Sequence, residues 1–238
     1  MGLNERNSMK YLPFEQAGKT YNLYDLPKGF VIKGDLDLSR QNLTELPDLS
    51  DVVVKGSFIC YCNKLTSLKG APKEVGKSFD CSNNGLTSLE GATEVVGENF
   101  CCQYNHLTSL EGAPQKVGGC FNCNDNQLTS LEGAPEVVGG YFSCSNNGLT
   151  SLVGVPQLKE NEKIYCDDSI GDKYGFSDTK ENGISYEELC KSPLYRSEEA
   201  MNRVRGKQQQ EQMQQQKDKI NAEFSQWLKD NKTKASKE

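Results

Sequence analysis

The feature that most constrains this chain is an internal repeat with a period of 21 residues. The segment GKSFDCSNNGLTSLEGATEVV at 76–96 recurs three more times in related form, and the aligned positions do not slip. The matching columns include Phe58, Phe79, Phe100, Phe121 and Phe142, and also Cys60, Cys81, Cys102, Cys123 and Cys144. A fixed period of this kind is typical of a solenoid, in which each coil packs on its neighbours. With a diverged first coil and a last one that begins at Ile164, six to seven coils are predicted over residues 26–168.

Composition agrees with a thin core that is repeated from coil to coil. Apolar residues make up 35% of the chain, and the mean hydropathy is -0.67. Alternation in Phe-x-Cys directs Phe and Cys to one side of a short strand and the residue between them to the other. Gly and Pro in the following GAP segment disfavour helices on the outer side of the coil. The predicted fold is therefore a β-rich solenoid of parallel β coils without convex helices, followed by a C-terminal α-helical extension.

One inward column is polar and needs a separate explanation. A buried amide must find hydrogen-bond partners, and an inward Asn can bond the backbone of its own turn and of the next coil. We therefore predict a structural ladder formed by Asn63, Asn84, Asn105, Asn126 and Asn147. The inward cysteines from Cys60 to Cys166 are predicted to fill space as small apolar groups.

The repeat FxCxxNxLTSLxGAP resembles the leucine-rich repeat. Its Phe and Cys stand where the LxL strand residues of that family stand, and its Asn and following Leu match the NxL. Residues 26–47, LPKGFVIKGDLDLSRQNLTELP, resemble the short repeats of bacterial effector proteins. The cysteine-bearing coils that end in GAP resemble repeats of bacterial and bacteriophage proteins. The resemblance implies leucine-rich-repeat coils of the short bacterial or bacteriophage type and a role in binding proteins.

The segments on either side of the solenoid have different compositions. Aromatic residues concentrate at 10–25, so residues 1–25 are predicted to form an N-terminal cap. Residues 169–196 are predicted to be a linker, with a loop at 171–184 and a short helix from Ser185 through Cys190 that Glu188 helps to cap. An amphipathic helix is predicted to begin at Ser197 and run through 197–230, before a disordered tail at 231–238. Its apolar stripe consists of Ile220, Phe224, Trp227 and Leu228 and predicts self-association or docking into a partner.

Few residues in the chain could support chemistry. Cys120 and Cys123 form a CxxC, but the repeat register points Cys123 inward and Cys120 outward, so they cannot share a tetrahedral metal ion. The segment at 177–189 contains some of the residue types of a calcium-binding loop. It lacks the required ligands whether the loop is aligned from Asp178 or from Ser177. Cys101 lies outward and is predicted to be the most reactive thiol. We therefore predict no catalytic residue, no metal site, no cofactor and no enzyme activity.

Charge and hydropathy limit the partners and the compartment. Residues 1–189 carry 16 basic and 26 acidic side chains, a net -10, and residues 190–238 carry 11 and 7, a net +4. Negative charge on the solenoid disfavours nucleic acid as a partner. No stretch reaches the roughly 20 apolar residues of a membrane span, and the N-terminus lacks the apolar run of a secretory signal. We expect a cytoplasmic protein with reduced thiols and no membrane contact, located in the host cytoplasm if it is of bacteriophage origin.

The outward strand positions differ from coil to coil, whereas the inward columns are nearly uniform. Variety outside and uniformity inside are what a scaffold that presents a binding surface requires. The predicted partner-binding residues on this presumed concave face are Tyr61, Asp80, Cys101, Tyr104 and Tyr141.

The leading functional hypothesis is a non-enzymatic protein-binding scaffold of a bacteriophage that binds or inhibits a host defence protein. The alternative is a structural component of a virion or larger assembly, docked through its C-terminal helix. A ubiquitin ligase with similar repeats would need a helical catalytic domain around Cys190, and a nucleic-acid mimic would need denser acidic charge, so both are disfavoured.

Overall fold

The computed structural model describes residues 11–203 and Gln214. The chain divides into two compact units, Met1–Ser192 and Pro193–Glu238. The described part of the first unit contains the β-strands and two α-helices, and residues 193–203 of the second are helical. No helix within the described residues is long and apolar enough to cross a membrane. The predicted apolar stripe from Ile220 to Leu228 lies outside the described residues.

Each coil forms one short strand at its Phe-x-Cys segment and another at its valine segment. The strands are β1 (Pro13–Gln16), β2 (Lys19–Asn22), β3 (Val31–Ile32), β4 (Leu36–Asp37), β5 (Val53–Val54), β6 (Phe58–Ile59), β7 (Glu74–Val75), β8 (Phe79–Asp80), β9 (Val95–Val96), β10 (Phe100–Cys101), β11 (Lys116–Val117), β12 (Phe121–Asn122), β13 (Val137–Val138), β14 (Phe142–Ser143), β15 (Gln157–Leu158), β16 (Lys163–Tyr165) and β17 (Ile184–Ser185). The even-numbered strands from β4 to β16, with β17, make an eight-stranded sheet, and the odd-numbered strands from β3 to β15 make a seven-stranded sheet. The fold is a parallel β-solenoid, as predicted, although the sequence had indicated only one of its two sheets.

The constant coil length places identical side chains beside one another. Phe100 pairs with Phe79 on one side and with Phe121 on the other, and the whole column keeps this register. Centroids of neighbouring Phe rings are 5.0 to 5.5 Å apart, and the ring pairs change from edge-to-face at Phe58 and Phe79 to stacked at Phe121 and Phe142. All five rings are fully buried. Such aromatic pairs add to the free energy gained by burial alone.

The inward cysteines are fully buried, and four of them also form hydrogen bonds. The Sγ atoms of Cys81, Cys102, Cys123 and Cys144 each donate to a backbone carbonyl oxygen of the following coil, at 3.2 to 3.5 Å. The prediction of small apolar fillers is therefore incomplete. These thiols fill space and also link neighbouring coils through weak hydrogen bonds.

The asparagine column lies against the turn that follows each Phe strand. The Asn84 amide nitrogen donates to Cys81 O at 3.1 Å and Ser82 O at 3.2 Å in its own turn, and to Cys60 O at 3.1 Å in the preceding coil. Its Oδ1 accepts from Leu65 N at 3.0 Å. Asn63, Asn105, Asn126 and Asn147 repeat this pattern. The amides thus reach back to the coil before, not forward to the next coil as the sequence had suggested.

An N-terminal hairpin formed by β1 and β2 precedes the first coil. Phe14, Tyr21 and Phe30 pack together, with the rings of Tyr21 and Phe30 at 4.9 Å. Gln16 extends from the hairpin to the edge of β3, where its Oε1 accepts from Lys33 N at 2.7 Å and its Nε2 donates to Val31 O at 3.1 Å. One side chain therefore satisfies the backbone groups that an additional strand would pair.

The segment after the last coil is more regular than predicted. Helix α1 (Asp168–Tyr174) overlaps the predicted loop at 171–184, and it ends at Gly175 with a left-handed φ of 88°. Strand β17 then pairs antiparallel with β16. Helix α2 (Tyr186–Lys191) confirms the predicted capping box, because Ser185 Oγ accepts from Glu188 N at 3.1 Å and Glu188 Oε2 accepts from Ser185 N at 3.3 Å.

The helix of the second unit begins earlier than predicted. Its helical residues start at 193 rather than at Ser197. Pro193 is the first of them, and proline is well suited to that position because its missing N–H would have no partner within the helix.

Candidate interaction surface

The outer face of the eight-stranded sheet carries most of the predicted partner-binding residues. A central column runs along it in register: Asp37, Ile59, Asp80, Cys101, Asn122, Ser143 and Tyr165. Asp80 and Cys101 are therefore direct neighbours. Tyr61 and Tyr141 lie beside this column in the second and sixth coils. The predicted residues share a face but do not form one compact cluster.

Asp80 bonds mainly within its own coil. Its Oδ1 accepts from Ser82 N at 2.9 Å and from Ser82 Oγ at 2.6 Å. Asp37 accepts from Ser39 N in the same way at 2.8 Å, and Asn122 accepts from Asn124 N at 3.1 Å. This repeated contact fixes the bend after each strand, so Asp80 has a structural part in its coil.

Tyr61 and Tyr104 occupy different positions in their coils. The Tyr61 ring lies 5.4 Å from the Arg40 guanidinium carbon, at a cation–π distance. Tyr104 follows the strand and has a left-handed φ of 57°, in a column shared with Asn83, Asp125 and Asn146. It is 60% exposed, and its N–H donates to Asn124 O at 3.2 Å. Arg40 and Cys62 adopt the same conformation at this position, so left-handed backbone is a feature of the turn in each of the first six coils. Tyr104 is the aromatic residue of this column.

Tyr141 belongs to a pair that the sequence analysis missed. Its ring centroid lies 5.6 Å from that of Tyr165, at an interplanar angle of 88°. Tyr141 is 38% exposed, and partial burial raises the pKa of its hydroxyl. Extending the outward column by one coil, from Ser143 to Tyr165, would have revealed this partner in the sequence.

The two tyrosines border a cleft of ≈ 340 Å³ at the C-terminal end of this face. Asn122, Asn124, Ser145 and Lys180 also line it. Lys180 comes from the segment after α1, and its Nζ donates to Asn146 Oδ1 at 2.9 Å. The cleft therefore combines two aromatic rings with amide, hydroxyl and amine groups. We refer to it below as the tyrosine cleft.

Hydrogen bonds fix the orientation of the two amides in the tyrosine cleft. Asn124 Oδ1 accepts from Ser143 Oγ and from Ser145 N, both at 2.8 Å. Asn122 Oδ1 is likewise occupied by Asn124 N. Because both oxygens are engaged, each Nδ2 group remains to serve as a donor, and neither donates to any residue that the structure describes. The tyrosine cleft thus presents an excess of donors to a ligand that offers acceptors.

The cysteines of this face are poor candidates for reaction. Burial raises the pKa of the Cys101 thiol to about 12, and the neighbouring Asp80 carboxylate and Cys120 thiol add to the rise. Burial also raises the pKa of Cys120. Because the thiolate is the reactive form, Cys101 is badly placed to react at neutral pH, contrary to the prediction. Cys123 is fully buried and Cys120 half-buried, so the CxxC pair straddles the sheet.

Within residues 11–203, no three His, Cys, Asp or Glu side chains are grouped in a way that could hold a metal ion. The predicted tail residues Ile220, Phe224, Trp227 and Leu228 lie outside the described residues. No family model, no curated protein and no solved structure matches the chain.

Proposed function

We propose that the protein is a non-enzymatic scaffold of the leucine-rich-repeat type that binds a protein partner at the tyrosine cleft. The observation that carries the proposal is the meeting of Tyr141 and Tyr165 with the free amide donors of Asn122 and Asn124. Tyrosine supplies a large rigid contact area with a polar end, and it is enriched among residues that dominate protein interfaces. Main-chain carbonyls of an extended partner segment supply the acceptors that the amides lack.

The chemistry of the tyrosine cleft favours binding over catalysis. None of the described residues that line it is an acid, a histidine or a cysteine. General acid–base and nucleophilic catalysis most often use such groups within hydrogen-bond reach of a substrate. Lys180 is the one ionisable amine of the described lining, and it already donates to Asn146.

The exposed position of Tyr104 extends the proposed surface. Three of the five other residues of its turn column are Asn or Asp, which adopt left-handed backbone more readily than Tyr, and the other two are Arg40 and Cys62. Tyr104 is 60% exposed, so most of its side chain remains available for contact with a partner. We place Tyr104 at the border of the surface that contacts the partner.

The resemblance of the repeats suggests which partner to seek. Coils that resemble bacterial and bacteriophage repeats fit a bacteriophage protein that binds or inhibits a host defence protein in the host cytoplasm.

The test is affinity capture from a bacterial lysate with full-length protein and with the double variant Tyr141→Ser and Tyr165→Ser. Tyr11→Ser is the matched control, because Tyr11 is 66% exposed at the other end of the solenoid.

The proposed function requires a protein that the wild type and the Tyr11→Ser control both capture. The cleft variant must lose that protein while its circular dichroism spectrum stays the same. A captured protein that is retained equally by all three forms would refute binding at the tyrosine cleft.

A structural role in a virion or larger assembly remains the second candidate. It rests on the apolar residues Ile220, Phe224, Trp227 and Leu228, which predict a helix face that needs a partner. Co-purification with assembled particles, lost when the chain is truncated after 192, would favour this candidate over the first.

A further inference from the structure

The seven-stranded sheet has an outer column of unusual composition. The residues in register along it are Val31, Val53, Glu74, Val95, Lys116, Val137 and Gln157. Val95 is 54% exposed, Val31 40% and Val137 39%. Glu74 and Lys116 separate the valines in the middle of the column, so apolar and charged side chains alternate there. Exposed apolar side chains gathered on one face of a protein mark interaction sites. We refer to this row as the valine ridge.

A groove runs beside the valine ridge, and Gly76 and Gly97 are among the residues that line it. A Cβ added at Gly76 would lie 2.4 Å from Lys55 O, and a Cβ added at Gly97 would lie 2.0 Å from Gly76 O. Neither position therefore has room for a side chain. The groove has a volume of ≈ 720 Å³, and Val53, Ala71, Pro72, Ala92 and Val95 are among the residues that line it. The valine ridge and the groove lie side by side, so the ridge of a second molecule can fit into the groove.

The charges on the valine ridge are arranged symmetrically about Val95. Glu74 lies one coil before Val95 and Lys116 one coil after it, while Val53 and Val137 lie two coils away on either side. Both charged side chains are exposed, and neither forms an ion pair with any residue that the structure describes. If a second copy of the column Val-Glu-Val-Lys-Val runs in the opposite direction, Glu lies opposite Lys and Val lies opposite Val.

We propose that the valine ridge is the interface of a homodimer in which two solenoids pack face to face and antiparallel. The twofold axis passes between the two Val95 residues. Each Glu74 then faces Lys116 of the second copy, and the Val53 and Val137 positions also meet. A twofold interface uses the same patch on both copies, which requires this kind of self-complementary pattern. The parallel arrangement would place Glu74 opposite Glu74, and like charges in contact disfavour it.

The homodimer surface is separate from the tyrosine cleft on the other sheet, so either proposal can fail without the other.

The test is sedimentation equilibrium of the full-length protein over a range of concentrations. We expect a concentration-dependent species of twice the 26.4 kDa chain mass. Glu74→Lys alone or Lys116→Glu alone creates two like-charge contacts per dimer, and each should weaken dimerisation by at least about tenfold. The double exchange, Glu74→Lys with Lys116→Glu, should restore the wild-type affinity. Val95→Arg should abolish the dimer.

Two controls make the result decisive. Circular dichroism melting must show that the exposed substitutions leave the fold intact. Phe224→Ser with Trp227→Ser, in the full-length chain, must leave the dimer unchanged. A wild-type monomer at every concentration would overturn the proposal. A dimer that survives Val95→Arg, or single variants that the double exchange does not rescue, would overturn it too.

Discussion

The side-chain oxygen of Asn105 accepts a hydrogen bond from the backbone N–H of Leu86, in the preceding coil, at 3.0 Å. The amide nitrogen of the same side chain donates to Cys102 O at 3.1 Å and to Cys81 O at 3.2 Å. Asn105 is only 5% exposed. One buried side chain therefore satisfies backbone groups in two coils.

We expect Asn105→Ala to lower the free energy of unfolding by about 1 to 3 kcal/mol, because it leaves buried backbone groups without partners. Denaturant titration of the variant measures the change. Gln127→Ala is the control, because Gln127 lies on an exposed turn. Among the described residues, its side-chain amide contacts only the His106 ring, at 3.3 Å. A midpoint for Asn105→Ala that matches the control would contradict a stabilising role of the ladder.

Gly97→Ala should be more damaging than its small size suggests. The new methyl group would meet Gly76 O at 2.0 Å, and this oxygen belongs to the backbone, so it cannot rotate aside as a side chain could. Relief requires two coils to separate, so we expect a loss of about 3 kcal/mol. Gly85→Ala makes the same chemical change where the nearest atom, Leu65 O, is 3.4 Å away, and it should be nearly neutral. Equal melting temperatures for the two variants would show that the close approach is not limiting.

Stability should fall steeply at alkaline pH. Burial raises the pKa of the inward thiols, including Cys60, Cys81 and Cys123, above their ordinary value. Above about pH 8.5 the unfolded chain loses thiol protons that the folded chain keeps. The free energy of unfolding therefore decreases as the pH rises, by about 1.4 kcal/mol per pH unit for each such thiol.

Urea titrations under reducing conditions between neutral pH and about pH 10 test this dependence. Cys123→Ala removes one of the thiols, so its stability should decline with a shallower slope. The same slope in the variant and the wild type would show that Cys123 ionises as easily in the folded state as in the unfolded chain.

Phe224→Ser combined with Trp227→Ser should leave the melting temperature of the solenoid nearly unchanged and remove a bound partner. The reason is the predicted amphipathic helix, whose apolar stripe could contribute several kcal/mol when buried against another molecule. Scanning calorimetry and co-purification report the two effects separately. A collapse of the melting temperature with no lost partner would mean that the stripe caps the solenoid instead.

The inward half of each coil could be predicted from the sequence. Columns such as Phe100 and Asn105 repeat because every coil offers them the same environment, and identity at a fixed interval reveals that environment directly. The capping box at Ser185 and Glu188 could be predicted for a similar reason, since its geometry is local. The two-residue valine strands were missed because so short an alternation carries no distinctive period.

The tyrosine cleft was harder to predict because it depends on contacts between distant segments. Lys180 meets Asn146 across 34 residues of sequence, from a segment that the composition marked as a loop. Tyr165 joins Tyr141 only through the register of β14 and β16. The raised pKa of Cys101 depends on depth of burial. The alternation correctly predicted that Cys101 lies on the outer side of the strand. It could not predict how deeply the neighbouring residues bury the thiol.

The glycine and asparagine contacts join each coil only to the coil next to it, and they recur at a constant interval. Removing or duplicating a unit of 21 residues therefore recreates the same junction chemistry at the splice. A lineage could therefore lengthen or shorten the solenoid by whole repeats without redesigning these contacts. The tyrosine cleft would be spared by such changes among the earlier coils, because it is assembled at the C-terminal end. Evolution could thus adjust the reach of the molecule and its recognition surface independently.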